Sequence, residues 1–310
     1  MTDPLCGEDR KEESVLRAID IIGVQMDLGA SKRGVSMGPM AIRYGGLCEG
    51  LERMGYTVRD LGDIIPPASG ATRKTMRNYQ QVSQVNRQLF QAVSASLEEG
   101  SFPVVLGGDH SIAAGSISAA AKHYGNIGVI WIDAHGDWND DKSTHTGNMH
   151  GMPFSAVCGW GPDCMVDFGQ GPVYVDPARC VQIGGRAIDD EERVRMKQAG
   201  VTVFSISMVD KLGMDAVIHQ ALEVAGRETA GIHLSFDVDA ITPEGAPGTG
   251  TLVHSGLTAR EAFLAVETIA ESQRLLSMDM VEVNPILDER NKTGILASEL
   301  IQSALGKVVY

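Results

Sequence analysis

VIWIDAHGDWND, residues 129–140, joins an unbroken apolar run to three charged or imidazole side chains at alternate positions. Val129, Ile130, Trp131 and Ile132 are β-branched or aromatic, follow Gly128 and precede a polar cluster, the signature of a buried strand. In an extended chain, positions i, i+2 and i+4 share a face. If the strand persists, Asp133, His135 and Asp137 crowd onto one side of its C-terminal end. Like charges at that spacing are costly to bury unless something positive sits among them.

On both sides of this segment, strand-like runs alternate with helix-like ones. AIDIIGVQ (18–25), YTVRDLG (56–62), FPVVLGG (102–108), IGVIWIDAH (127–135), CVQIGG (180–185), VTVFSIS (201–207), GIHLSFDVD (231–239) and LLSMDMVEVNP (275–285) read as strands. Helical patterns fall at 80–99, 190–199, 215–225, 259–271 and 297–305. Continuous apolar strands suit a sheet covered on both faces, and alternating β and α suits one doubly wound, mostly parallel sheet. No break in composition divides the chain. The reading is therefore a polar tail, residues 1–15, followed by one catalytic domain, residues 16–310. In such sheets function collects at the C-terminal ends of the strands, which is where the acidic clusters fall.

The 310 residues are 43% hydrophobic and 21% charged, an ordinary globular balance. A net charge of −14 with no basic patch disfavours nucleic acid as a partner. No apolar run is long enough to span a bilayer, so no membrane role is expected. The acidic opening MTDPLCGEDRKEESV lacks an apolar signal segment, which points to the cytoplasm. Cys6, Cys48, Cys158, Cys164 and Cys180 are odd in number and form no CxxC pair, so reduced thiols are expected.

Four strand ends carry chemistry. VVLGGDHSIAAGSIS places His110 after Gly107 and Gly108, which permit a sharp turn. The second is Asp133, His135 and Asp137. In the third, LSFDVDAITPEGAPGTGT, Asp237 and Asp239 repeat the alternate spacing. Four carboxylates and two imidazoles at the ends of one sheet form an oxygen-rich ligand set that suits divalent manganese, or iron, cobalt, nickel or zinc by substitution. Six side chains are too many for one catalytic ion with open positions; they suit two ions about 3.5–4 Å apart, bridged by shared carboxylates. Such a pair makes hydroxide available near neutral pH, which implies hydrolysis at an electrophilic centre. HTGNMHGMP adds His150, a candidate proton shuttle. The fourth end, MDMVEVNP, carries Glu282, whose carboxylate wants a cation such as a guanidinium.

GGDHS (107–111), DAHGDWN (133–139), GNMHGMP (147–153), SFDVDAITP (235–243) and EVNP (282–285) together resemble the ureohydrolases, most closely the arginases. The resemblance runs from GVQMDLGASKRGVSMGPMAIR (23–43) to VNPILDERNKTGILASELIQSALG (283–306). It implies a three-layer α/β/α sandwich around an eight-stranded parallel sheet, with two Mn2+ per subunit and Co2+ or Ni2+ as alternatives. By the family pattern His110 and Asp137 bind one ion, His135 and Asp239 the other, and Asp133 and Asp237 bridge them. A bridging hydroxide attacks the guanidinium carbon, and Asp137 passes a proton to the leaving amine. For arginine the products are urea and ornithine. His150 shuttles protons and Glu282 holds the guanidinium. Asn139, Thr144 and Thr146 are candidates for the substrate carboxylate, Asp189 for its amine, and Thr251 is a further pocket candidate. Relatives imply a homotrimer or homohexamer.

Trp138, His145 and Ala187 depart from the arginase pattern. They keep open a different guanidino substrate: homoarginine, guanidinobutyrate, agmatine or guanidine. A silent, metal-stabilised subunit would have lost ligands, His150 or Glu282, and all are present. The full second ligand set and EVNP speak against a single-zinc deacetylase. The shortage of cationic residues in the motif loops speaks against a phosphoesterase.

Overall fold

The computed structural model describes residues 17–308 except 69 and 170, so the polar tail and Cys6 lie outside the described residues. Eight strands form one sheet: β1 (Ile19–Val24), β2 (Val58–Ile64), β3 (Phe102–Leu106), β4 (Gly128–Ile132), β5 (Cys180–Ile183), β6 (Thr202–Phe204), β7 (Ile232–Asp237) and β8 (Leu275–Val281). Their order is β2-β1-β3-β8-β7-β4-β5-β6, and every neighbouring pair is parallel. All eight strands fall where the apolar runs predicted, with ends shifted by a few residues.

The helices are α1 (Gly38–Tyr44), α2 (Leu47–Arg53), α3 (Tyr79–Glu98), α4 (Ala113–Tyr124), α5 (Pro153–Val157), α6 (Asp190–Ala199), α7 (Ile206–Leu212), α8 (Met214–Gly226), α9 (Ala259–Glu271) and α10 (Lys292–Ala304). Alternate strand residues feed two cores. Ile130, Ile132, Leu234, Phe236, Met278 and Met280 pack against α1, α2, α8, α9 and α10, through residues such as Ile42, Leu51, Val217, Ile269 and Leu300. Val105, Val129 and Trp131 face the opposite layer, where Leu89 of α3, Ile117 of α4, Phe154 of α5 and Met196 of α6 lie. Burial on both faces explains the unbroken apolar runs, since a strand with two cores has no polar side. The architecture is the expected α/β/α sandwich. Edge strand β2 differs: it is only partly buried and carries Arg59, Asp60 and Asp63, charges that discourage pairing with another chain.

Helix α4 follows Ser111, yet it leaves no amphipathic period in the sequence. Residues 113–121 are buried on every side, so no polar face marks a helical period. Helix α10 begins at Lys292, five residues before the 297–305 pattern. No helix of the described residues is long and apolar enough to cross a membrane. Cys48, Cys158, Cys164 and Cys180 are free thiols.

Candidate metal centre and its cavity

The strand order puts β3, β8, β7, β4 and β5 side by side. Their C-terminal ends therefore deliver His110, Glu282, Asp237 with Asp239, Asp133 with His135 and Asp137, and residues 187–192 to one edge of the sheet. Residues 133–137 do not keep the extended alternation that their spacing predicts. β4 ends at Ile132, and Asp137 adopts a left-handed φ of 46°. The side chains converge because the backbone turns, not because they share an extended face. Glu282 is also left-handed, with φ 64°. Such conformations cost a side-chain-bearing residue about 1–3 kcal/mol, and they persist where surrounding structure holds a functional group in place.

Two ligand groups result: His110, Asp133 and Asp237, and Asp133, His135 and Asp239. His110 Nδ1 lies 3.1 Å from Asp133 Oδ2, 3.1 Å from Asp137 Oδ2 and 3.2 Å from Asp237 Oδ2. His135 Nδ1 lies 3.0 Å from Asp239 Oδ2 and 3.4 Å from Asp133 Oδ1. The two oxygens of Asp133 thus face two different imidazoles. Asp237 offers Oδ2 to the first group, while its Oδ1 accepts the Asp239 N–H at 2.8 Å.

These residues fit a pair of divalent ions. His110 Nδ1 is buried, and none of the surrounding oxygens makes a hydrogen bond to it. Three carboxylate oxygens and the ring nitrogen of a neutral imidazole converging at about 3 Å form an electron-pair donor set, which a cation satisfies. Burial, and then the charge of Asp133, push the Asp137 carboxyl up to about 6. Burial together with Asp239 and Asp133 holds the Asp237 carboxyl well above the usual range.

The supports are equally specific. Trp131 Nε1 donates to Asp133 Oδ2 at 2.9 Å, and the indole stacks on the His110 ring at 4.0 Å between centroids. Thr251 Oγ1 donates to Asp239 Oδ2 at 2.8 Å. The Arg186 guanidinium donates to the backbone carbonyls of Gly184, Asp239, Ala240, Val253 and His254, pinning the loop that carries Asp239.

A cavity of about 150 Å³ opens on this cluster, lined by His135, Asp137, Asn139, His150, Gly151, Ala187, Asp189, Glu192, Asp237 and Thr251. Asn139, Asp189 and Thr251 are thus on its wall, whereas Thr144 and Thr146 are not. The Thr144 and Thr146 hydroxyls accept the N–H groups of Gly147 and Asn148 within their own loop. Glu282 sits behind His150: its Oε1 receives the His110 N–H at 3.0 Å and lies 2.9 Å from His150 Nδ1. Burial works against a charged His150, but the bond and charge of Glu282 lift it to about 9.

Glu192 was missed by the sequence reading. Its oxygens accept the N–H groups of Trp138 at 2.8 Å and Asp189 at 3.0 Å. Burial pushes its carboxyl up to about 7. The available signal was its position three residues into α6, where a glutamate folds back on the helix start. Of the three departures, Trp138 is wholly buried against Phe154, at 5.0 Å and edge-on, and is not part of the cavity wall. His145 is exposed in its loop. Only Ala187 lines the cavity.

Comparison with known proteins agrees with this geometry. A model of the arginase family matches residues 17–306. The arginase of Bacillus caldovelox is 45% identical over 298 residues, 94% of this chain and 99% of that one. The arginase of Bacillus subtilis (strain 168) is 45% identical over 292 residues, covering 94% and 98%. The crystal structure of arginase from Bacillus cereus superposes with a TM-score of 0.91 at 44% identity, covering 95% of this chain and all of that one. With a family model matched over residues 17–306 and relatives 45% identical over 94% of its length, the chain belongs to the arginase family.

Proposed function

We propose that the protein hydrolyses the guanidino group of L-arginine to L-ornithine and urea, with two Mn2+ per subunit. The observation that carries this reading is the division of the Asp133 carboxylate between His110 and His135. His110 and Asp137 would hold one ion, His135 and Asp239 the other, with Asp133 and Asp237 between them. When bound, the ions supply Lewis acidity and a water deprotonated near neutral pH. The oxygen-rich donor set with imidazole favours manganese and tolerates cobalt or nickel.

The chain's own residues divide the remaining work. Asp137 faces the cavity, where a carboxylate beside the reacting nitrogen can take and release a proton. It delivers the proton that the attacking water loses to the amine nitrogen as the carbon–nitrogen bond breaks. His150 lies between the cavity and Glu282, and exchanges protons with solvent. Glu282 orients His150 and contributes the negative field that draws the guanidinium. Asn139 donates to the substrate carboxylate, while Thr251, whose hydroxyl proton is held by Asp239, shapes the cavity wall. Asp189 and Glu192 face its amine. His150→Asn keeps the ring's approximate size without its titration, so turnover at saturating arginine should fall by about 10²-fold with both ions retained. Steady-state kinetics beside metal analysis check this, and an unchanged kcat removes the shuttle role.

A second reading is favoured by Ala187, which leaves part of the cavity wall uncharged. Urea release from the manganese-loaded protein should be measured against arginine, homoarginine, agmatine, guanidinobutyrate and guanidine side by side. The expected result is a kcat/KM for arginine at least about 10²-fold above that for agmatine, since carboxylate donors left unpaired are penalised heavily. Preference for another compound keeps the chemistry and moves the error to the cavity wall around Ala187.

A further inference from the structure

The two central strands present an unusual face to α4. On the side of the sheet where Val129 and Trp131 pack, β7 offers His233 and Ser235, and β8 offers Ser277 and Asp279. All four are buried to within 1%. A polar group in a core costs stability unless fully hydrogen-bonded, and a buried ion pair is seldom better than an apolar replacement. The cluster is fully connected. His233 Nε2 lies 2.9 Å from Asp279 Oδ2, and His233 Nδ1 lies 2.8 Å from Ser277 Oγ. Ser116 of α4 donates to Asp279 Oδ2 at 2.6 Å, and Ser235 donates to Asp279 Oδ1 at 2.5 Å. The chain of contacts ends at the metal centre, where Ser235 Oγ lies 2.9 Å from His110 Nε2.

Counting protons fixes the direction of this chain. An ionised carboxylate only accepts, and a serine hydroxyl has a single proton. Asp279 Oδ1 takes the proton of Ser235, so Ser235 can only accept from His110. In the neutral, metal-binding ring His110 Nε2 must then carry the hydrogen, which leaves the Nδ1 lone pair toward Asp133, Asp137 and Asp237. Nδ1 is the atom found buried without a hydrogen bond.

We infer that Asp279, acting through Ser235, is a positioning residue that sets the tautomer of His110 and so keeps the His110 half of the centre competent to take its ion. His233, Ser277 and Ser116 hold Asp279 in place. Without Asp279 the Ser235 proton is free to turn toward His110 Nε2, which drives the ring hydrogen to Nδ1 and blocks the ligand atom. The inference rests on the metal-site reading above.

The test compares the manganese-loaded full-length protein with Ser235→Ala, Asp279→Leu and the double variant. Bound manganese is titrated away with a chelator, and the content per subunit is counted. The expected result is a wild type with two ions, and a Ser235→Ala protein in which one ion is weakened by about 10–100-fold while the other is held as before. Asp279→Leu should weaken the same ion, and the double variant should be no worse than the stronger single variant, because both act on one chain of contacts. Long-range 1H–15N spectra of 15N-histidine-labelled, chelated protein should show one histidine changing tautomer in Ser235→Ala. Equal weakening of both ions, or no weakening in Ser235→Ala, overturns the proposal. If Asp279→Leu does not fold, the Ser235→Ala result decides alone. A wild type that binds no manganese at all refutes the metal-site reading itself.

Discussion

Replacing Asp237 with asparagine should lower urea release from arginine by about three orders of magnitude, because the charge stabilisation of a bound ion is worth several kcal/mol and about 4 kcal/mol is a factor of about 10³. The asparagine keeps the oxygen that caps Asp239 but loses the charge that faces His110. Metal analysis should show less than the full complement of ions, and activity near wild type with two ions bound would refute the placement of Asp237. The same variant should move stability the other way once ions are chelated. In the chelated protein the Asp237 carboxyl sits well above its ordinary range, chiefly through burial and then Asp239 and Asp133. A carboxyl with a raised folded pKa favours folding when protonated, so its contribution is present at low pH and lost as pH rises. Asp137, at about 6, and His150, at about 9, have the same sign. Chelated wild type should therefore become more stable as pH falls from about 9 to about 6, and chelated Asp237→Asn should be more stable than chelated wild type at neutral pH. The loaded protein should trend oppositely, because ligands must lose protons to bind metal. Thermal melts at several pH values, with and without chelator, measure all of this. A chelated variant less stable than wild type would mean that Asp237 is structural.

Trp131→Ala should cost about 4 kcal/mol of folding free energy, the usual range for deleting a buried large aromatic. Trp131 has no exposed surface, and its indole is sandwiched between His110 at 4.0 Å and Phe154 at 4.6 Å. The thermal midpoint should fall by about 10 °C, and manganese affinity should fall with it, because the stack that seats His110 and the donor on Asp133 vanish together. Trp131→Phe separates the two effects. It keeps the stack and loses only the bond to Asp133 Oδ2. Its stability cost should be about 1 kcal/mol, while its hold on manganese falls clearly. Equal stability losses in the two variants would mean that the stack contributes nothing beyond the hydrogen bond.

The sheet was legible in the sequence because strands with two cores are apolar at every position, as in Val129 to Ile132. The residues of the candidate metal centre were legible because they cluster at strand ends in short stretches. What carried no sequence signal was of two kinds. Helix α4 and Trp138 are buried all round, so they leave no periodic polar trace. The His233–Asp279 pair acts through a contact between strands far apart in the chain, and nothing local marks it. Asp133, His135 and Asp137 were found by a rule of strand geometry that β4 does not extend far enough to obey. Of the departures from the family pattern, Ala187 lies on the cavity wall and Trp138 does not. Spacing along the chain cannot say which side of a turn a ring will take.

The strand order also dictates when the metal centre can exist during synthesis. The first six strands can pair only as two separate trios, β2-β1-β3 and β4-β5-β6, because β7 and β8 lie between them in the finished sheet. His110 belongs to one trio, and Asp133, His135 and Asp137 to the other. The last two strands, Ile232–Asp237 and Leu275–Val281, close that gap and bring Asp237, Asp239 and Glu282 with them. A nascent chain therefore carries two half-sites that cannot meet until residue 281 has left the ribosome. Assembly of the candidate site therefore waits for β8, and any product truncated before β8 is left with its acidic clusters unpaired and its central strand edges open to aggregation.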